Sequence, residues 1–193
     1  PGGVCELSTY SKVPVVLRGS DRVWESAIIN EYLEEMFPEP PLMPNEPGLR
    51  AIARIWIDFA NTKLIPAYYK LLMSQEADQQ KQWEEELYRH FRFMEMEGLA
   101  KLSHNGPYWL GDSVSLVDLS FYPWFERLPA VEYYRGVFLP VDCLRLREWW
   151  VAMQMRESVR STAQPADFHI RNYVKYASNT ATGVTAQEIR RYS

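Results

Sequence analysis

Two short β-prone runs, residues 12–17 (KVPVVL) and 22–25 (RVWE), flank the turn-forming cluster Arg18-Gly19-Ser20-Asp21. They predict a β-hairpin. From Ser26 to Phe37 the period changes: Ile28, Ile29, Tyr32, Leu33 and Met36 fall at helical spacing, and Pro38-Glu39-Pro40-Pro41 stops the helix. Beyond the proline-rich stretch 38–47 strand signals vanish for most of the remaining chain, which marks a domain boundary. Leu49 to Met73 carries Ile52, Ile55, Trp56, Phe59, Leu64, Tyr68 and Leu71 on one stripe, and Pro66 is expected to kink that helix. A second long helix is expected from Ala77 to about Leu102. It is strongly charged but keeps Trp83, Leu87, Phe91, Met94 and Leu99 roughly in phase. Two long neighbouring helices imply a helical bundle.

The clearest local signal lies in Gly111-Asp-Ser-Val-Ser-Leu-Val-Asp-Leu119. Ser115 and Asp118 form an S-x-x-D variant of the capping box, with Val114 and Leu119 at the positions of a hydrophobic staple. A helix is expected to start there and run through Phe121, Trp124, Phe125 and Leu128 to Pro129. Leu144 to Met155 and about Ala166 to Tyr176 read as further amphipathic helices. Residues 178–193 are polar and weakly periodic and read as a frayed tail. The fold class is therefore an α+β start with an all-α remainder.

Composition narrows the partners. The chain has 193 residues, 47% of them hydrophobic, so a sizeable core is expected and disorder is excluded. Lys+Arg 21 against Asp+Glu 25, with no basic run longer than Arg190-Arg191, argues against nucleic acid as the main partner. No apolar stretch reaches the length of a membrane span, and the start lacks a secretory signal, so a cytoplasmic protein is expected. Cys5 and Cys143 are too few for a disulfide scaffold or a structural zinc site. His90, His104 and His169 lack the partner spacing of a helical metal site, so no metal is expected.

Val13-Pro14 in a strand, Glu25-Ser26 at a strand-to-helix junction, and then an all-helical half with a capped Gly-x-x-x-Ser-x-x-Asp helix resemble the cytosolic glutathione S-transferases. The resemblance covers roughly residues 7 to 176, and the runs 113–118 and 123–128 are most similar to the omega class. It implies a partial thioredoxin-like domain over residues 1–40, a glutathione S-transferase C-terminal-like helical bundle over 45–177, and a polar tail over 178–193. A homodimer, with glutathione as co-substrate, is also implied.

The matching residues have a physical logic of their own. A cis Val13-Pro14 bond, as the resemblance implies, would turn the Val13 N–H and C=O outwards, where they can pair with a peptide laid alongside. Glutathione is such a peptide. Ser26 is expected as the N-cap of a helix with Ile29 at its N3 position, which leaves free N–H groups for the γ-glutamyl carboxylate. Glu25 could accept the ligand's ammonium. Val13, Pro14, Glu25 and Ser26 are thus the expected glutathione-binding residues. Arg127 and Trp124 match a stretch that borders the second-substrate pocket of omega-like relatives, although an aromatic stripe at helical spacing also serves as plain core.

The residue that meets the glutathione sulfur in this family precedes the equivalent of Lys12, so the catalytic residue is expected N-terminal to Pro1 and this chain alone is expected to be inactive. Cys5 stands just before the hairpin instead of at a helix N-terminus and reads as a bystander. The implied activity is glutathione-dependent thiol transfer of the omega or dehydroascorbate reductase type if that residue is Cys, or activation of the glutathione thiol for attack on an electrophile if it is Ser or Tyr. The alternative is a non-catalytic module of the same fold used for binding or assembly.

Overall fold

In the computed structural model of the protein, which describes residues 12–191, the first described elements are an antiparallel hairpin of β1 (Val15–Arg18) and β2 (Asp21–Trp24). Val15 pairs with Trp24 and Arg18 with Asp21, which leaves Gly19 and Ser20 as a two-residue turn. Gly19 takes φ +59°, a left-handed value that suits a residue without a Cβ. Strand β1 begins after Pro14, later than the sequence pattern suggests, because proline has no N–H for the ladder. Val13 and Pro14 therefore form the approach to the strand, not part of it. Their peptide bond is cis, as is Glu39–Pro40. Cys5 lies outside the described residues.

Helix α1 (Ser26–Met36) follows β2 directly and packs on the hairpin. Its buried Glu34 reaches the proline-rich connection, where one carboxylate accepts the amides of Leu42 at 3.0 Å and Met43 at 2.9 Å. The Leu42 carbonyl accepts in turn from the Leu116 amide at 2.9 Å. The connection is thus stapled from both sides. A bidentate pair between Arg54 and Glu31, with Nη2 to Oε2 at 2.6 Å, adds a second tie between the units.

Helix α2 (Pro47–Phe59) starts two residues earlier than expected because Glu46 caps it, accepting from the amides of Gly48 and Leu49. It runs through a π-helical turn (Ala60–Leu64) into α3 (Ile65–Met73). That turn immediately precedes Pro66, whose missing N–H cannot bond back to residue 62, and the wider turn accommodates it. Helix α4 (Ala77–Phe93) likewise passes through a π-helical turn (Met94–Leu99) and ends at Leu102. Gly98 in that turn lies under Trp109, where a Cβ would stand 2.7 Å from the indole.

Helix α5 (Leu116–Glu126) begins at the expected capping box. Asp118 Oδ2 accepts from the Ser115 amide at 2.7 Å and from its hydroxyl at 2.6 Å. Its Oδ1 accepts from the Trp109 amide at 2.9 Å and the Trp149 indole at 2.7 Å. One buried carboxylate therefore organises the centre of the core, where Trp109 stacks on Phe121 at 4.4 Å and meets Trp149 edge-on.

The helix does not continue to Pro129. It breaks at Arg127, and α6 (Leu128–Arg135) starts there with Pro129 in its first turn, where a missing N–H costs nothing. Helices α7 (Leu144–Gln154), α8 (Glu157–Arg160) and α9 (Ala166–Ala177) complete the bundle. The expected frayed tail instead contains α10 (Val184–Arg191). Ala186 is fully buried beside Met73, and Arg190 donates to Asn179 and Ala181, so tertiary contacts hold a segment whose own pattern is weak. Among the described residues no helix is long and apolar enough to cross a membrane.

Candidate functional site

Ser26 is the first residue inside α1, and Glu25, not Ser26, is the N-cap. This shifts the expected frame by one residue: the first-turn amides are those of Ser26, Ala27 and Ile28. Glu25 takes φ 68° and ψ 116° and its side chain caps none of them. The helix bond from the Ile29 amide to the Glu25 carbonyl, at 2.8 Å, starts only beyond them. A non-glycine residue at positive φ costs about 1–3 kcal/mol and persists where the surroundings enforce it. Here it turns the chain abruptly from β2 into α1, leaving the positive end of the helix dipole open to an anion.

That helix start faces a cleft of about 470 Å³ between the hairpin unit and the bundle. Val13, Pro14 and Ser26 line one side; Leu119, Ser120, Pro123, Trp124 and Arg127 line the other. Five of the six sequence-selected residues thus share one cavity. Glu25 is exposed, adjacent to Ser26 and outside the lining. Sequence reasoning missed Asn30, Asn61 and Ser120. Asn30 was legible as the polar residue four after Ser26, hence on the same face of α1. Asn61 sits in a π-helical turn that no periodicity reveals, and its amide donates to the Ile57 carbonyl at 3.0 Å.

Among the described residues Arg127 is the single charged side chain of the lining. Its guanidinium lies 4.9 Å from the Trp124 ring centroid, a cation–π arrangement. Its backbone carbonyl accepts from the Tyr68 hydroxyl at 2.7 Å. Behind it Tyr68, Tyr69 and Tyr173 cluster, with Tyr69 stacked on Tyr173. Burial raises the hydroxyl pKa of all three, so they remain neutral hydrogen-bonding groups. Cys143 is no rival nucleophile: it is buried at the start of α7, with its pKa pushed up to about 11 by burial and by Asp142 and Glu95. Among the described residues no group of three His, Cys, Asp or Glu side chains could hold a metal ion.

The family described as glutathione S-transferase, C-terminal domain, matches residues 74–149. Glutathione S-transferase U22 of Arabidopsis thaliana is 31% identical over 154 residues, 78% of this chain and 66% of that protein. The chain belongs to the glutathione S-transferase family. Glutathione S-transferase 3 of Glycine max is 29% identical over 161 residues, 81% of this chain and 69% of the relative. The chain thus spans about two thirds of the length of the curated relatives it matches. Its fold is similar to that of the Tau class glutathione S-transferase MiGSTU from mango, Mangifera indica (TM-score 0.78, 23% identity, 89% of this chain and 77% of that one). It is also similar to glutathione transferase Omega 3C from Trametes versicolor (TM-score 0.75, 25% identity, 91% and 75%). The expected omega-like class is therefore one neighbour among others, with Tau class beside it.

Proposed function

We propose that this transferase fold binds glutathione in the cleft between α1 and α5 and presents its sulfur to a second substrate held near Trp124 and Arg127. The observation that carries the reading is the convergence of Val13, Pro14 and Ser26 with Trp124 and Arg127 on one cavity. In this reading the peptide backbone of glutathione lies along Val13. Its γ-glutamyl carboxylate sits at the uncapped start of α1 with the Ser26 hydroxyl, and its ammonium meets Glu25. The zwitterionic end is then read by a donor cluster and an acceptor side by side. The chain's residues bind and orient the tripeptide.

The curated relatives and the mango structure support transfer of glutathione to an electrophile. Thiol transfer of the omega or dehydroascorbate reductase type is the second reading, supported by the Trametes likeness. A homodimer and a cytoplasmic location belong to the same proposal. The dimer is supported by apolar side chains left exposed on α2 and in the π-helical turn after α4, Ile55 at 66% and Met96 at 61%. Retention of the chain on immobilised glutathione, reduced about tenfold by Ser26→Ala, is the expected result. Wild-type protein that passes through unretained would remove the transferase reading and leave a non-catalytic module of this fold.

A further inference from the structure

A second cavity, of about 550 Å³, lies between the proline-rich connection and the loop that precedes α5. Its walls are largely apolar, with Pro41, Leu42, Met43, Leu110 and Val114 among them. Both walls are fixed before any ligand arrives. Glu34 and the Leu116 amide hold the backbone of residues 42–43, and Tyr108 and Gly111 exchange backbone hydrogen bonds of 3.0 and 3.3 Å across the loop. Arg156 also lines the cavity. Its Nη1 donates to the Tyr108 hydroxyl at 3.0 Å, and its guanidinium lies 5.2 Å from the Tyr108 ring centroid. Among the described residues no carboxylate lies within 4 Å of it. Among the described residues, the acidic one of this lining is the exposed Asp112, and Glu157 lines an adjoining cavity of about 450 Å³ that shares Arg156 and Tyr108.

A half-buried guanidinium held in place by a hydroxyl, facing a preformed apolar cavity without an ion-pair partner, complements a negative charge carried on an apolar body. We propose that this cavity is a binding site for a small aromatic monocarboxylate, whose carboxylate pairs with Arg156 while its ring system lies between the connection and the 110–114 loop. Asp112 at the mouth selects against a second negative charge. The site is distinct from the glutathione cleft, with which it shares no lining residue.

The test is calorimetric titration of the chain with 2-naphthoate, and with 2-naphthamide as its uncharged counterpart. The site predicts binding of the naphthoate, weakened at least about tenfold in the amide and in Arg156→Gln, and unchanged in Arg127→Gln. Amide chemical-shift changes are expected at Leu110 and Val114, not at Asn61 and Ser120. Ser113→Trp fills the cavity from its exposed wall with Arg156 intact and is expected to abolish binding, which decides the matter should Arg156→Gln fail to fold. Undiminished binding in Arg156→Gln or Ser113→Trp, loss in Arg127→Gln, equal binding of the amide, or no heat at millimolar naphthoate would overturn the proposal.

Discussion

Tyr68 donates its hydroxyl to the backbone carbonyl of Arg127 at 2.7 Å, across 59 residues of sequence. The bond ties α3 to the break between α5 and α6, and so fixes the backbone from which the Arg127 side chain enters the cleft. At the break that carbonyl also accepts from the Ala130 amide at 3.0 Å, in the first turn of α6, and the buried tyrosine adds a second donor. Tyr68→Phe removes the donor and keeps the ring. Because the carbonyl keeps the Ala130 amide, a loss of about 0.5–1.5 kcal/mol is expected from urea unfolding, with glutathione retention through Ser26 preserved.

Glu25 separates stability from binding. Its positive φ is strained for any residue with a Cβ, so Glu25→Gly is expected to raise stability by about 1 kcal/mol. The same change removes the proposed acceptor for the ligand's ammonium and is expected to weaken glutathione binding. Glu25→Ala leaves the strain and should weaken binding with no gain in stability. Paired thermal melts and titrations of the two variants check this.

Asp118 carries the opposite signature. Its carboxylate satisfies the Ser115 amide, the Trp109 amide and the Trp149 indole at once. Asp118→Ala removes the acceptor of four buried donors, the Ser115 hydroxyl included, and is expected to cost at least about 3 kcal/mol, enough to lower the yield of folded protein. The folded fraction should still bind glutathione with wild-type affinity, because Asp118 lies outside the cleft lining.

His90 predicts how stability changes with pH. Its pKa is lowered to about 4 from 6.5, by burial first and then by the charges of Arg89 and Lys63, while Glu86 at 3.2 Å opposes the shift. The unfolded chain takes up this proton near pH 6.5 and the folded chain does so only near pH 4. The His90 contribution is therefore complete above pH 6.5 and lost as pH falls toward 4. Urea midpoints at pH 7 and pH 5 should differ, and His90→Gln should flatten the difference.

The readable parts of the sequence were those whose cause is local. The Ser115–Asp118 cap, the turn at Gly19 and the stripes of α2 and α4 each follow from neighbours within a few positions. What escaped depends on distant residues or on proline's double meaning. Pro129 read as a stop signal, yet the same missing N–H makes it a helix start, and the cleft residue Arg127 sits at the break it creates. Helix α10 was hidden because Met73 and the carbonyls that meet Arg190, not its own polar pattern, hold it. In the cleft lining, the placement of Val13, Pro14 and Ser26 together follows motif order, whereas Asn61 lies in a π-helical turn that the sequence pattern does not show.

That glutathione lies across the start of α1 is tested most directly by a crystal structure of the chain soaked with glutathione. The expected result is the tripeptide along Val13, its γ-glutamyl carboxylate within hydrogen-bond distance of the Ser26 amide and hydroxyl. Density for glutathione elsewhere, with the Val13–Ser26 cleft empty at saturating ligand, would contradict it.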